Sequence, residues 1–137
     1  MESTCNHIGV TSAEPESLVR FYTEKIGFVR EGEKNIPSAL MERIFGIDAA
    51  CRLIKLRFGR LVLEIFDFQT KIVPRGKGCV VGINHWGLEV DDKMSFIRKL
   101  KRHSVPLIEA EGKGHIIYFV LDPEGNRIEI FERKQTP

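Results

Sequence analysis

Apolar and polar positions alternate and then recur at helical spacing twice along this chain, in the same order each time. Cys5 to Thr11 is apolar with a polar interruption at His7, the pattern of a short strand. Leu18, Val19, Tyr22 and Ile26 then fall at helical spacing across residues 14–26. Ser12 offers an N-cap hydroxyl, Pro15 sits where a missing N–H costs nothing, and Gly27 stops the helix. Phe28 to Glu33 reads as a strand and Ser38 to Phe45 as a helix, with Leu40, Ile44 and Phe45 on one side and Gly46 at its end. Two apolar strands follow, Cys51 to Phe58 and Arg60 to Phe68, joined by a tight turn at Gly59.

Residues 69–82 hold Pro74, three glycines and three basic residues, which marks a linker. Beyond it come a strand (Ile83 to Val90), a helix (Asp92 to His103) and strands at Pro106 to Glu109, His115 to Leu121 and Asn126 to Glu132. Asp122-Pro123-Glu124-Gly125 is a hairpin turn, with Pro presetting φ and Gly accepting a positive one. Each half is thus β-α-β-β-β, and the helix at Ser38 to Phe45 is an insertion in the first. The pattern predicts an α+β fold: two βαβββ modules, about 1–70 and 80–137, forming one domain with an open, cupped mixed sheet and the helices outside.

The halves also repeat particular residues. Asn6-His7-Ile8-Gly9-Val10 returns as Asn84-His85-Trp86-Gly87-Leu88, and Leu63-Glu64-Ile65-Phe66 as Ile128-Glu129-Ile130-Phe131. Such a repeat indicates a duplicated module carrying one imidazole and one carboxylate. Strands alternate their side chains between faces, so Glu129 shares a face with Arg127 and Phe131 while Ile128 and Ile130 face the core. Glu64 shares its face with Val62, Phe66 and Phe68. A carboxylate in so apolar a strand is costly to bury unless a cation compensates it. His7, Glu64, His85 and Glu129 are therefore candidate ligands of one divalent ion. Two imidazoles and two carboxylates suit Zn, Ni, Co, Mn or Fe better than Ca or Mg, which prefer all-oxygen shells.

Other candidates carry less. A lone strand histidine is usually structural, and His103 at a helix end suits the helix dipole. His115 and Tyr118, at the start of a strand beside the hairpin, are candidate substrate contacts, as are Phe66 and Phe68. Trp86 reads as core. Gly112-Lys113-Gly114 is a loop able to close over a ligand, too short for a phosphate-binding motif.

Composition narrows the setting. The 137 residues are 42% hydrophobic and 29% charged, ordinary for a soluble domain able to bury a core. A net charge of +2, with basic residues scattered, gives no footprint for nucleic acid. No apolar run has the roughly 20 residues of a membrane span, and no signal peptide pattern opens the chain. Cys5, Cys51 and Cys79 form no close-spaced pair, which suits free thiols and a cytoplasmic location.

These motifs resemble the vicinal oxygen chelate superfamily, which includes glyoxalase I, methylmalonyl-CoA epimerase, fosfomycin-resistance proteins, extradiol dioxygenases and bleomycin-resistance proteins. The resemblance runs from Asn6-His7-Ile8-Gly9-Val10 through Arg20-Phe21-Tyr22 and Ile26-Gly27-Phe28 to Asp122-Pro123-Glu124-Gly125-Asn126-Arg127-Ile128-Glu129-Ile130. It implies paired βαβββ modules with a metal in the cleft, a small-molecule substrate and a homodimer. It places the four ligands at His7, Glu64, His85 and Glu129, the set most like glyoxalase I. Bacterial glyoxalase I carries a glutathione-binding Arg and Asn where this chain has Thr11 and Phe68, which argues for a different substrate. The epimerase usually has Gln where Glu64 stands, although Gly82 to Asp92 looks like its central strand.

The chemistry implied is metal-dependent proton transfer next to a carbonyl, a lyase or isomerase reaction with Glu129 or Glu64 as the catalytic base. An Fe(II) extradiol-type dioxygenase and a non-catalytic, bleomycin-resistance-type binding protein are the alternatives.

Overall fold

Apolar alternation in β1 (His7–Thr11) and β4 (Leu61–Phe68) produces the strand pair on which the first half is built. The computed structural model describes residues 1, 3–76, 78–79 and 81–134, and divides into two units, Met1–Pro74 and Arg75–Pro137. In the first, β1 runs parallel to β4, β4 antiparallel to β3 (Cys51–Phe58), and β3 antiparallel to β2 (Val29–Ile36), giving the order β1-β4-β3-β2. In the second, the order is β5 (Trp86–Val90), β8 (Arg127–Glu132), β7 (Ile116–Leu121), β6 (Leu107–Glu111), with β5 parallel to β8. The expected α+β pattern of mixed sheets is present, with three α-helices among the described residues. None of the helices among the described residues is long and apolar enough to cross a membrane.

The first helix is not one regular element. It is α1 over Pro15–Arg20, continuing as a π-helical turn over Phe21–Ile26 that Gly27 closes at φ 112°. The hydroxyl expected to cap it does not. Ser12 is buried and its amide donates to Phe66 O at 3.0 Å, extending the β1–β4 ladder. Among the described residues the Ser12 hydroxyl has no hydrogen-bond partner, and Glu14 occupies the cap position. Strand pairing outcompeted the local cap.

Leu63 and Ile65 alternate away from Glu64 and are fully buried, as are Leu18 and Tyr22 of the helical segment, and α1 packs on β4. Ile128 and Ile130 do the same opposite Glu129, in the unit of α3 (Lys93–Arg102), whose Ile97 and Leu100 are buried. Each such side chain contributes about 1.5–3 kcal/mol, so a one-residue register slip, which would put Glu64 or Glu129 in their place, is strongly disfavoured.

Several boundaries differ from the sequence reading. β1 begins at His7 rather than Cys5, and β5 at Trp86 rather than Ile83, so His85 immediately precedes its strand. β2 runs on to Ile36, because it pairs with β3 as far as Cys51, and Pro37 then leads into α2 (Ser38–Phe45). The Asp122 turn forms as expected. Asp122 Oδ1 accepts from the amides of Glu124 (3.0 Å) and Asn126 (2.8 Å), and Gly125 has φ 81°.

The inserted helix α2 packs on the face of the first sheet that carries Glu64. Its Met41 is buried with Cys51 and Phe68, and Ile36, Ile47, Phe66 and Ile72 pack around them.

Candidate metal centre

Parallel pairing sets the geometry of each repeated pair. Gly9 lies beside Glu64 in the β1–β4 register, which puts His7 two residues back on the same face. His7 Nε2 stands 3.5 Å from Glu64 Oε2. The second unit repeats this: Gly87 lies beside Glu129, and His85 Nε2 stands 3.3 Å from Glu129 Oε2. The glycine between has a steric reason. A Cβ at Gly9 would meet the Phe66 ring at 3.1 Å, and one at Gly87 the Phe131 ring at 3.1 Å.

The asparagine that precedes each histidine contacts its ring. His7 Nδ1 is 3.0 Å from Asn6 Oδ1, and His85 Nδ1 makes the same contact with Asn84 Oδ1. With the carboxamide oxygen, which only accepts, in that place, the neutral ring carries its proton on Nδ1. The Nε2 lone pair then faces a carboxylate oxygen. A divalent ion placed between them would meet a donor from each side. Zinc-type ions bind imidazole nitrogen at about 2.0–2.1 Å and carboxylate oxygen at about 2.0–2.2 Å, so neighbouring ligands on one ion lie roughly 3–3.5 Å apart. Both pairs have that separation, and the Asn–His contact is the kind of outer-sphere support that metal-binding histidines have. Each pair fits half of a four-ligand set. Within either unit, no third His, Cys, Asp or Glu among the described residues joins the pair.

The pairs differ in what stands across the next strand. Lys55 is registered opposite Glu64, and its Nζ lies 3.1 Å from Glu64 Oε1. Phe119 is registered opposite Glu129 and packs edge-on to His85, with centroids 5.2 Å apart. Lys55, Phe119 and the supporting roles of Asn6 and Asn84 were not assigned from sequence. The tight turn at Gly59 was the available signal, because it pairs Phe58 with Leu61 and so counts Lys55 opposite Glu64.

The candidate substrate residues are placed unevenly. Phe66 and Phe68 share the Glu64 face and stack at 6.0 Å between centroids, next to Phe45 of α2. Tyr118 is buried on the opposite face from Glu129, with the Lys93 ammonium 5.7 Å from its ring centre, so Phe119 takes the position beside the pair. His115 is exposed in the loop before β7, with Nδ1 3.2 Å from Lys113 O. Phe131 is half-exposed above Gly87.

The family model for the Glyoxalase/Bleomycin resistance protein/Dioxygenase superfamily matches residues 4–130. The chain belongs to this superfamily. Solved structures of similar fold include the glyoxalase family protein from Enterococcus faecalis, with a TM-score of 0.70, 22% identity, and coverage of 93% of this chain and 95% of that one. The trypanothione-dependent glyoxalase I of Leishmania major gives a TM-score of 0.70 at 20% identity over 96% and 87%. TnmS3, an antibiotic-binding protein from Streptomyces sp. CB03234, gives 0.66 at 18% identity over 97% and 98%. No curated protein sequence matches the chain. Identities this low make the likeness one of fold, and the superfamily includes both enzymes and binding proteins.

Proposed function

We propose that this glyoxalase-superfamily protein is a metal-dependent lyase or isomerase that moves a proton next to a carbonyl of a small substrate bearing two adjacent oxygens. His7, Glu64, His85 and Glu129 together hold one divalent ion, Zn, Ni, Co, Mn or Fe, in a homodimeric cytoplasmic protein. The supporting observation is the duplicated pairing, with each Nε2 lone pair turned at a carboxylate oxygen 3.3–3.5 Å away. The bound ion supplies Lewis acidity that stabilises negative charge developing on the substrate oxygens.

The chain's own groups do the rest. Asn6 and Asn84 hold the imidazoles in the tautomer that presents Nε2. Glu64, held by Lys55 as well as facing His7, stays in place. Glu129 takes the substrate proton on a carboxylate oxygen and returns it to the neighbouring carbon, since its only ion-pair contact among the described residues is with His85. Phe66 shields Glu64 from water and Phe119 shields Glu129.

A non-catalytic binding role has one relative in its favour, the antibiotic-binding protein. The two intact His–Glu pairs count against it. The test is exchange of substrate carbon-bound hydrogen in D2O, followed by NMR across 2-oxoaldehyde–thiol adducts and 2-oxo acids. Exchange in the wild type that drops in Glu129→Gln supports the reading. Tight binding of a panel member with no exchange under any metal contradicts it.

A further inference from the structure

The face that carries Glu64 continues into an aromatic ledge that the second unit lacks. Phe66 lies two residues beyond Glu64 on the same face, over the bare backbone of Gly9. Phe45, from the last turn of α2, meets it edge-on with centroids 5.5 Å apart. Phe68 completes the cluster and is 5% exposed, whereas Phe45 is 51% exposed and Phe66 partly so. Phe66 and Phe68 pack on Met41 and Cys51, while Phe45 and Phe66 keep exposed ring surface. In the second unit, Phe131 lies over Gly87 in the same way, but β6 and β7 are joined by a short loop and no helix adds a second ring.

We propose that the Phe45–Phe66 ledge binds a flat apolar group, an aryl ring, attached to the two adjacent oxygens of the substrate. This rests on the proposed chelating role of the His–Glu pairs for the oxygen end. It adds the class of substituent, which the ledge selects by itself. Three features favour a ligand group as occupant. Phe66 sits two residues from the candidate ligand Glu64 on the same face, and the exposed Phe45 ring meets it. Their edge-on arrangement leaves Phe45 able to accept a third ring in the geometry aromatic pairs prefer. The buried rest of the cluster holds both rings in place without a partner protein.

Benzoylformate and pyruvate test this, because they share the same 2-oxo carboxylate and differ in the ring alone. Binding is measured by calorimetry on protein loaded with zinc and on metal-free protein, for wild type, Phe45→Ala and the exposed control Ile44→Ser, with size-exclusion chromatography alongside. The expected result is at least a tenfold preference for benzoylformate, falling fivefold or more in Phe45→Ala with zinc stoichiometry unchanged, and intact in Ile44→Ser. If zinc does not bind but the aryl preference persists in metal-free protein and is lost in Phe45→Ala, the metal reading fails and the ledge stands. Equal affinity for the two acids, or an unchanged preference in Phe45→Ala, overturns the ledge. So does loss of a dimer in Phe45→Ala without loss of the preference, which makes the rings a contact between copies.

Discussion

The two His–Glu pairs have the same backbone and different neighbours. Both begin with an asparagine that orients the imidazole, and both place glycine beside the carboxylate so that an aromatic ring can cover the strand. Across the adjacent strand the likeness ends. Glu64 is held on both oxygens, by Lys55 and by the facing His7, and its side chain is 12% exposed. Glu129 faces His85 on one oxygen, has Phe119 where the first pair has a lysine, and is 20% exposed. The duplicated module thus holds two His–Glu pairs that differ at one cross-strand position. On the proposed reading, Glu64 is the fixed ligand and Glu129 the mobile base.

The largest expected effect separates those duties. Glu129→Gln lowers turnover by roughly 10²–10⁴-fold, the usual range for loss of a general base, while much of the ion is retained. Glu64→Gln acts first on ion content. Measuring metal stoichiometry beside turnover distinguishes the two, and an identical response from both variants breaks the comparison.

Next come the asparagines. Asn6→Ala and Asn84→Ala each weaken ion binding by roughly 10–100-fold, as loss of outer-sphere support does. Competition with a chromogenic chelator reads this, and unchanged affinity in both variants would remove the tautomer argument.

Exchanging the cross-strand neighbours gives a smaller effect. Lys55→Met costs metal-free protein about 1 kcal/mol, because Glu64 loses its cation in a half-exposed pair, and a saturating ion recovers part of that. Phe119→Lys instead pins Glu129 and slows turnover at unchanged stoichiometry. Thermal melts with and without ion, and rates at saturating ion, check each.

The smallest effect concerns Cys51 beneath α2. Burial pushes its thiol up from the ordinary range. At pH 8, iodoacetamide therefore labels the exposed Cys5 and Cys79 and spares Cys51 until the protein unfolds. Folding holds this thiol protonated, so its contribution to stability is present below the ordinary thiol range and is lost as pH rises through the raised folded-state value. Native labelling of Cys51 would mean that α2 opens readily.

Much of this was legible in the amino-acid order. Period-two runs located every strand within a few residues, and the repeated Asn-His-x-Gly and Glu-x-Phe patterns located both pairs, because residue spacing within a strand fixes its faces. Ser12 was misread because a local cap rule competed with pairing to Phe66, a residue far along the chain. Tyr118 lies buried on the face away from Glu129, and Phe119, one position on, is registered opposite that carboxylate, since one step of alternation exchanges faces completely. The packing of α2 on the Glu64 face had no local signature, since its apolar residues suit either side of the sheet.

The most direct test of the central claim is metal content by mass spectrometry of untagged protein, beside a His7→Ala/Glu129→Ala variant that removes one ligand from each pair. The account predicts close to one divalent ion per chain in the wild type and little in the variant. Protein that takes up none of Zn, Ni, Co, Mn or Fe after reconstitution, or a variant that keeps its ion, would contradict it.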